Sequence, residues 1–374
     1  MNHPVNVITS RFTSAPRLAQ FVLAPLAALL VSCVVSAGAE GSPAAVPRTQ
    51  SQQVRKLERS YWLHASLGES TQKGYWGLDY RATPPPSSVE VANAARLLTK
   101  DYGASRLYLI YHAEMPVEDA VRIFGWWRKN CPKDVEIVPA LVLRMYDQPG
   151  TPVFSPVELR TLCHAFKRIN PERVAVYDIY PNRDQGPGLD VLYDEYPHGL
   201  LRVGLQPGET LPIRYTGAAE DTWSAFCHGK TNADWSAPGF GAETLRKWVA
   251  ERNAGNRRVS WDLITVAWDY SVTQRGEYPG YDDAEKNMPL PPGRNRLALQ
   301  EILGSAVPDR LLGFSSDLFI LHANSASRKH DGPEGTFYGC LKRGERYRGY
   351  YAAPLDEIAA LYGDLKRGAL PTAG

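Results

Sequence analysis

The feature that most constrains the fold is a repeated alternation of short apolar segments with amphipathic, helix-like segments. It begins near Lys56 and continues to the C-terminus. Uninterrupted apolar segments are typical of strands that are buried on both faces, and an amphipathic helix is the usual connection between two parallel strands. About eight such units fit into roughly 315 residues, which predicts a (β/α)8 barrel with enlarged loops after the strands.

A doubly wound parallel sheet is the alternative arrangement of the same units. The sequence disfavours it, because no GxGxxG string follows the first strand segment and no P-loop string is present. Long insertions follow strand segments at about 181–200, 229–241, 271–293 and 323–338. In a barrel all of these loops would lie at the end where active sites are built.

The segments have recognisable boundaries. Ser87 and Glu90 form a capping-box pattern at the start of one helix, Gly103 is a natural stop for it, and Ser155 followed by Pro156 starts another helix. The predicted strands are SYWLHASLG (60–68), RLYLIYHAE (106–114), VEIVPALVLRMYD (135–147), RVAVYD (173–178), LLRVGLQ (200–206), TWSAFCHG (222–229), RVSWDLITVAWD (258–269) and RLLGFSSDLFIL (310–321).

The N-terminus predicts export. Arg11 and Arg17 precede the apolar stretch FVLAPLAALLV, and the AGA string at 37–39 offers a small-residue cleavage site, so residues 1–39 are predicted to be a signal peptide. Two alternatives stay open. One is a lipoprotein signal in which Cys33 of the LVSC string carries the lipid, and the other is an uncleaved anchor. Each of the three places the body of the protein outside the cytoplasm.

Residues 40–55 are mostly polar or small and contain two prolines, which predicts a disordered linker before a barrel domain at 56–374. The expected location is therefore secreted or periplasmic. Contact with a membrane is expected only through the N-terminal lipid anchor of the lipoprotein alternative, which would hold the protein at the cell envelope.

Composition narrows the partners. The 42 Lys and Arg against 40 Asp and Glu give a net charge of only +2, which argues against a general nucleic-acid binder. The four cysteines past the leader, at 131, 163, 227 and 340, show neither a CxxC string nor a close Cys/His metal spacing. They are expected to be buried thiols or one or two structural disulfides. We predict no bound metal and no organic cofactor.

Acidic residues recur where the predicted strands end. Asp178 follows the run RVAVY and Asp269 ends LITVAW, while Glu114 and Glu209 follow the second and fifth strands. Because strand ends converge on one pocket in a barrel, these four carboxylates are the predicted catalytic residues. Cleavage of a glycosidic bond needs two carboxyl groups that flank the bond, one protonated and one ionised.

Rings and cations accompany these acids. Flat rings can cover the apolar faces of sugars, and guanidinium groups can hold a carboxylate or sulfate, so an anionic polysaccharide would fit. The predicted substrate-binding residues are His64, His112, Arg144, Tyr180, Arg183, His228, Trp235, Trp268 and Tyr270.

This pattern resembles the barrel glycoside hydrolases as a broad group, over most of the chain past residue 56. An acid after the fourth, fifth and seventh strands is similar to the arrangement of the alpha-amylases, although the flanking strings of that family are absent. The resemblance implies that Asp178 is the nucleophile, Glu209 the proton donor and Asp269 the stabilising carboxylate. The expected function is an exported glycoside hydrolase that acts on a polysaccharide or oligosaccharide.

Two other classes of protein remain open. Four histidines fall at or near strand ends: His64, His112, His228 and His322. With Asp178 or Asp269 they could hold a divalent metal ion that activates water, as in the metal-dependent amidohydrolase barrels. Those barrels begin with a His-x-His pair, whereas the first strand here has only His64. The third class is an exported barrel that binds sugar without cleaving it.

Overall fold

The computed structural model describes fourteen stretches of the chain: 57–68, 84–113, 115–143, 153–170, 172–176, 186–197, 200–205, 220–223, 258–268, 287–304, 311–318, 321, 329–332 and 335–369. Residues 48–374 belong to one compact unit. The predicted signal peptide at 1–39 and the predicted linker at 40–55 lie outside the described residues. No helix in the part of the chain that the structure describes is long and apolar enough to cross a bilayer.

Eight parallel strands close into a barrel. Two further strands, the eighth and ninth in chain order, form a separate sheet. In chain order the described strands are β1 (Glu58–His64), β2 (Arg106–Tyr111), β3 (Glu136–Leu141), β4 (Arg173–Val176), β5 (Leu200–Leu205), β6 (Glu220–Trp223), β7 (Arg258–Asp262), β8 (Val266–Trp268), β9 (Asn287–Pro289) and β10 (Leu311–Asp317). The barrel order is β1-β10-β7-β6-β5-β4-β3-β2. Because β1 pairs in parallel with both β2 and β10, the sheet has no edge. The predicted barrel is confirmed, and the alternative of an open, doubly wound sheet is wrong.

Five α-helices in the described stretches lie between barrel strands, and two follow the last strand. They are α1 (Ser88–Arg96), α2 (Val117–Asn130), α3 (Pro156–Lys167), α4 (Gly186–Glu195), α5 (Arg294–Leu303), α6 (Phe337–Arg343) and α7 (Ala352–Arg367). The Ser87 hydroxyl accepts a hydrogen bond from the Glu90 N–H, and the Glu90 carboxylate accepts one from the Ser87 N–H, so the predicted capping box is confirmed. Ser155 and Glu158 form the same box at α3. Helix α4 lies inside a segment that was predicted only as an insertion.

Alternation along the strands separates two environments. Tyr61 packs against Tyr362 of α7, and Tyr111 packs against Phe124 of α2 and Phe166 of α3, so these rings face the surrounding helices. On each strand, the residues that alternate with these outward-facing positions face the barrel interior, because successive side chains of a strand point to opposite faces. The main apolar core therefore lies between the strands and the helices.

The amino-terminal end of the barrel interior is charged. The Arg106 guanidinium, 2% exposed, forms ion pairs with the carboxylates of Glu58 and Glu136, and Arg173 lies 2.9 Å from Glu136. These residues occupy β1 to β4, with the sign of the charge alternating from each strand to the next. The side chains of Glu58, Glu136 and Arg173 are 20–30% exposed, so the two glutamates compensate the buried charge of Arg106 from the edge of the solvent.

The seventh predicted strand is interrupted. β7 ends at Asp262, and Val266–Trp268 instead pairs antiparallel with β9 in a separate two-stranded sheet. The prediction of one strand over 258–269 was wrong. The physical reason lies at Ile264, whose N–H and C=O are both hydrogen-bonded to the side-chain amide of Asn295, at 3.1 and 2.8 Å. That amide replaces a neighbouring strand as partner, so the ladder ends there.

The described cysteines are buried thiols. Cys131, Cys163 and Cys340 are all free, and Cys227 lies outside the described residues. Burial raises the pKa of the Cys131 and Cys163 thiols to about 12. Of the two expectations for these cysteines, the buried thiol is confirmed for these three residues.

Candidate functional site

Four polar residues face the interior at the carboxyl end of four consecutive strands. In barrel order they are His112, directly after β2, His64 on β1, Asp317 on β10 and Asp262 on β7. Trp62 and Asp317 are register partners, and so are Ser315 and Asp262. Paired residues of neighbouring parallel strands point to the same face, so the four side chains belong to one pocket wall.

The two histidines lie together. Their ring centroids are 5.0 Å apart, and both residues are buried. The backbone N–H of His64 donates a hydrogen bond of 3.0 Å to the Tyr338 hydroxyl, which joins α6 to the end of β1. Burial lowers the pKa of His112 to about 3. At neutral pH this imidazole is therefore uncharged, and it can donate a hydrogen bond from one nitrogen and accept one at the other.

The two aspartates have different environments. Asp262 is 6% exposed, and its carboxylate accepts a hydrogen bond from the hydroxyl of Ser315 on the neighbouring strand. Asp317 is only partly buried. Asp317 lies two residues beyond Ser315, so the usual strand spacing and rise put the two aspartate Cα atoms roughly 8 Å apart. A buried carboxylate beside a more open one is an arrangement that separates acid and base roles.

An aromatic pair forms the floor beneath these polar groups. Trp62 and Tyr108 stack with centroids 4.1 Å apart and ring planes inclined by 11°. Both rings are buried, and the Tyr108 hydroxyl accepts a hydrogen bond from Arg106 at 2.7 Å. The stack therefore separates the charged layer at one end of the barrel from the histidines and aspartates at the other.

The structure brings together two of the predicted site residues, His64 and His112. It places a third, Trp268, elsewhere than expected. Trp268 is on β8 in the separate two-stranded sheet rather than at the end of a barrel strand. Asp269, which follows it, is seven residues beyond the end of β7 in the sequence and lies outside the described residues, so its catalytic role stays a prediction.

The remaining predicted residues lie outside the described part of the chain and stay predictions. Their distance along the chain from the described strand ends differs: Asp178 is two residues past β4, Arg144 three past β3, and His228 five past β6. The residues outside the described part are Glu114, Arg144, Asp178, Tyr180, Arg183, Glu209, His228, Trp235, Asp269 and Tyr270.

The sequence analysis missed Asp262 and did not select Asp317 as one of the catalytic residues. A signal was present in both strands, because small or polar residues alternate with apolar ones: Ser260 and Asp262 with Val259 and Trp261. Such alternation indicates one polar and one apolar face. Here the polar face lines the interior of a barrel.

Metal binding has limited support in the described part of the chain. The His64 and His112 rings could supply two ligands, but within the described stretches no three or more His, Cys, Asp or Glu residues are grouped so that they could hold an ion. A typical catalytic zinc site uses three protein ligands. A metal site here would need a contribution from residues beyond those stretches.

No family model matches this sequence, and no curated protein matches it. Among solved structures, a GH5-4 broad specificity endoglucanase from an uncultured bovine rumen ciliate aligns over 84% of this chain and 98% of its own, with 9% identity and a TM-score of 0.45. The N-acetylneuraminate lyase of Mycoplasma synoviae aligns over 83% and 81%, with 8% identity and a TM-score of 0.36.

A third similar structure is the carboxyl transferase domain (Y628A) of Rhizobium etli pyruvate carboxylase, with 10% identity and a TM-score of 0.40. The alignment covers 83% of this chain but only 50% of that one. These three neighbours carry out different reactions, and likenesses this weak carry no argument about chemistry. The barrel itself is established by its strand pairing.

Proposed function

We propose that this protein is a glycoside hydrolase that cleaves the glycosidic bonds of a polysaccharide or oligosaccharide. The observation that carries the proposal is the partly exposed, inward-facing carboxylate of Asp317 at the carboxyl end of a closed barrel, with the buried Asp262 on the adjacent strand. Hydrolysis of a glycosidic bond needs two carboxyl groups in different protonation states. Asp317 is proposed as one of the two.

Among the described carboxylates, Asp317 is the one to which we assign a catalytic role at the substrate. It is partly exposed, whereas Asp262 is buried and hydrogen-bonded to Ser315. Asp262 therefore supports the pocket floor, and Asp317 acts with a second carboxylate from the loops. The candidates for that second group are the four acids predicted from the sequence: Asp178, Glu209, Asp269 and Glu114.

Asp178 is the first of these to test, because β4 is four positions away from β10 in a ring of eight strands. Carboxylates from opposite walls would flank a bond that lies across the mouth. The inward-facing positions of β4 include Ala175, so Asp178, three residues further, would face inward only if the strand alternation does not continue past Val176. A variant at Asp178 therefore tests whether this carboxylate enters the pocket as the second catalytic group or faces away from it.

The neutral imidazole of His112 suits the binding of sugar hydroxyl groups. A hydroxyl both donates and accepts a hydrogen bond, and an uncharged imidazole does the same at its two nitrogens. Because burial keeps the pKa of His112 at about 3, this capacity is retained through the whole neutral and mildly acidic range. His64 and His112 are thus proposed to orient the sugar, and neither is assigned proton transfer.

The test is a reducing-end assay on purified residues 40–374 with neutral, uronic and sulfated glycans. The variants are Asp317→Asn, Asp178→Asn, Asp269→Asn and Asp262→Asn. Asp364→Asn is the matched control, because that carboxylate lies near the end of α7 and pairs with Arg367. We expect turnover by the parent and the control, and a loss of at least 100-fold in Asp317→Asn without loss of folding.

Each contrary outcome has a defined meaning. Turnover that survives in Asp317→Asn would overturn its assignment and leave the loop acids as the pair. Failure of the parent on every glycan would overturn the hydrolase itself. Sugar affinity without turnover would then establish the binding-only barrel, which the sequence left open.

A metal-dependent hydrolase is the second candidate, and the close approach of His64 and His112 is the observation that favours it. Two imidazoles 5.0 Å apart at one barrel end could share a divalent ion with a carboxylate from the loops. Loss of ester or amide hydrolysis in a chelator, with recovery on adding zinc, would support this candidate. Glycan cleavage that is unaffected by the chelator would reject it.

Export is part of the same proposal. The predicted leader would place the enzyme in the periplasm or the medium, or on the cell envelope through a lipid on Cys33. Mass spectrometry of the mature N-terminus separates these cases. A start near residue 40 would support the cleaved signal peptide, a lipid-bearing Cys33 would support the lipoprotein, and an intact N-terminus would support the anchor.

A further inference from the structure

A groove lies outside the barrel, along the segment that joins α6 to α7. Its volume is about 750 Å³, which is within the range of sites for small molecules. The described residues that line it come from 330–350, and none of those residues belongs to a barrel strand. The groove is therefore separate from the pocket that holds His64 and Asp317.

One of the two arginines that line this groove has no partner among the described residues. Arg346 is bound by Asp356 at 2.6 Å, and Glu345 is bound by Arg343 at 2.9 Å. Arg348 lines the same groove and is exposed, and it forms no ion pair or hydrogen bond with any residue in the described stretches. A guanidinium stays charged at every physiological pH and presents a planar set of donors that fits a carboxylate with two hydrogen bonds.

Two stacked rings line the same groove as Arg348 and form a flat wall. The exposed imidazole of His330 stacks on the Tyr350 ring, with centroids 4.3 Å apart and planes inclined by 13°. The wall is fixed in place because the Tyr350 N–H donates a hydrogen bond of 2.7 Å to Asp331, which also accepts one from the Tyr347 hydroxyl. A fixed ring face is a suitable surface for the apolar face of a sugar ring.

The charges that line the groove balance, Arg346 and Arg348 against Asp331 and Glu345. Residues 329–350 as a whole contain five Lys or Arg and three Asp or Glu, a formal excess of +2. The excess of the segment attracts anions, and the attraction falls with ionic strength. At the groove itself the donor that can hold an anion is Arg348.

We propose that this groove is an accessory binding site for an acidic saccharide, in which Arg348 holds the carboxylate of a uronate residue and the outer face of His330 covers the sugar ring. The proposal rests on the proposed function only in taking the ligand to be a glycan. It identifies a substrate class, a uronate-containing polysaccharide, and a second contact that would keep such a chain near the barrel mouth while it is cleaved.

The test is isothermal titration calorimetry with an oligogalacturonate and with the same oligosaccharide as its methyl ester. The ester removes the carboxylate charge and keeps the rings. We compare the parent with Arg348→Ala and Arg348→Lys, and with Arg168→Ala as the matched control, because Arg168 is also an exposed arginine and lies at the end of α3. Asp317→Asn shows whether the ligand binds in the barrel mouth instead.

We expect the parent to bind the acid at least ten times more tightly than the ester. This preference should be lost in Arg348→Ala, largely lost in Arg348→Lys and kept in Arg168→Ala and Asp317→Asn. Raising the salt from 50 to 500 mM should weaken binding of the acid but leave the ester unaffected. A sulfated disaccharide is the comparison that separates uronate recognition from general anion binding.

Three outcomes would overturn the proposal. They are equal binding of acid and ester, an acid affinity that is unchanged in Arg348→Ala, and a loss of binding in Asp317→Asn alone. None of these measurements depends on turnover. Binding at the groove can therefore succeed while the hydrolase proposal fails, and the reverse result is equally distinguishable.

Discussion

The imidazole rings of His64 and His112 lie with their centroids 5.0 Å apart, one at the end of β1 and the other directly after β2. The sequence separates these residues by a helix and a strand, and only the parallel pairing of β1 with β2 brings them together. The burial of His112 and the contacts of Asp262, Arg106 and Gly313 should each affect the stability of the fold, which can be measured by unfolding.

His112 should make stability depend on pH. Burial lowers its folded-state pKa to about 3, below the ordinary value of 6.5, so the unfolded chain binds more protons between these two values. Stability should therefore fall as the pH drops below 6.5. Between pH 6.5 and pH 5 we expect the parent to lose about 1.5 kcal/mol more than His112→Gln in urea unfolding.

The control for that prediction is His164→Gln, because the His164 ring is 63% exposed on α3. It should follow the parent at every pH. If His112→Gln has the same pH slope as the parent, the imidazole is protonated in the folded protein and the neutral role assigned to it is wrong.

The hydrogen bond between Ser315 and Asp262 should contribute to stability. In Asp262→Ala the buried Ser315 hydroxyl, 0% exposed, loses its acceptor, at a cost of about 1–3 kcal/mol. A cycle with Ser315→Ala and the double variant isolates the pair. We expect the double variant to be more stable, by about 1 kcal/mol, than the sum of the two single changes predicts. Strict additivity in chemical denaturation would show that the two residues do not interact.

Arg106 should be the most sensitive charged residue in the described interior. Replacing it by Leu leaves the carboxylates of Glu58 and Glu136 facing each other without their shared cation, which should cost about 3–5 kcal/mol. Arg160→Ala provides the surface comparison. Its ion pairs with Asp194 and Glu195 are at the protein surface, so the expected loss is below about 1 kcal/mol. Equal losses in thermal unfolding would contradict a buried network.

Gly313 and Gly125 should respond to alanine in opposite directions. A Cβ at Gly313 would be pressed against the backbone carbonyl of Glu58 on the neighbouring strand, whereas a Cβ at Gly125 would meet nothing within 4 Å. Gly313→Ala should therefore destabilise the barrel by about 1–3 kcal/mol or more. Gly125→Ala, inside α2, should stabilise it by roughly 0.5–1 kcal/mol. The midpoints of urea unfolding for both variants check the pair, and a stable Gly313→Ala would show that the two strands can move apart.

Local signals account for much of what could be predicted. Ser87 with Glu90 and Ser155 with Pro156 locate helix starts, because a capping box is satisfied within four residues of chain. The end of β7 at Asp262 was missed, because it depends on Asn295, which is 31 residues further along the chain from Ile264. A contact of that range leaves no mark in the local apolar pattern.

The sequence by itself determined the alternation of strands and helices, and with it the barrel, because a buried parallel strand and an amphipathic helix each have a period that can be read locally. The tertiary structure alone decided which polar residues share a pocket. His64, His112, Asp262 and Asp317 meet because β2, β1, β10 and β7 are neighbours in a closed sheet, and closure pairs the first strand with the last. It also placed Trp268 outside the barrel and put Arg348 in a groove where no residue of the described stretches pairs with it, since both outcomes depend on contacts between distant segments.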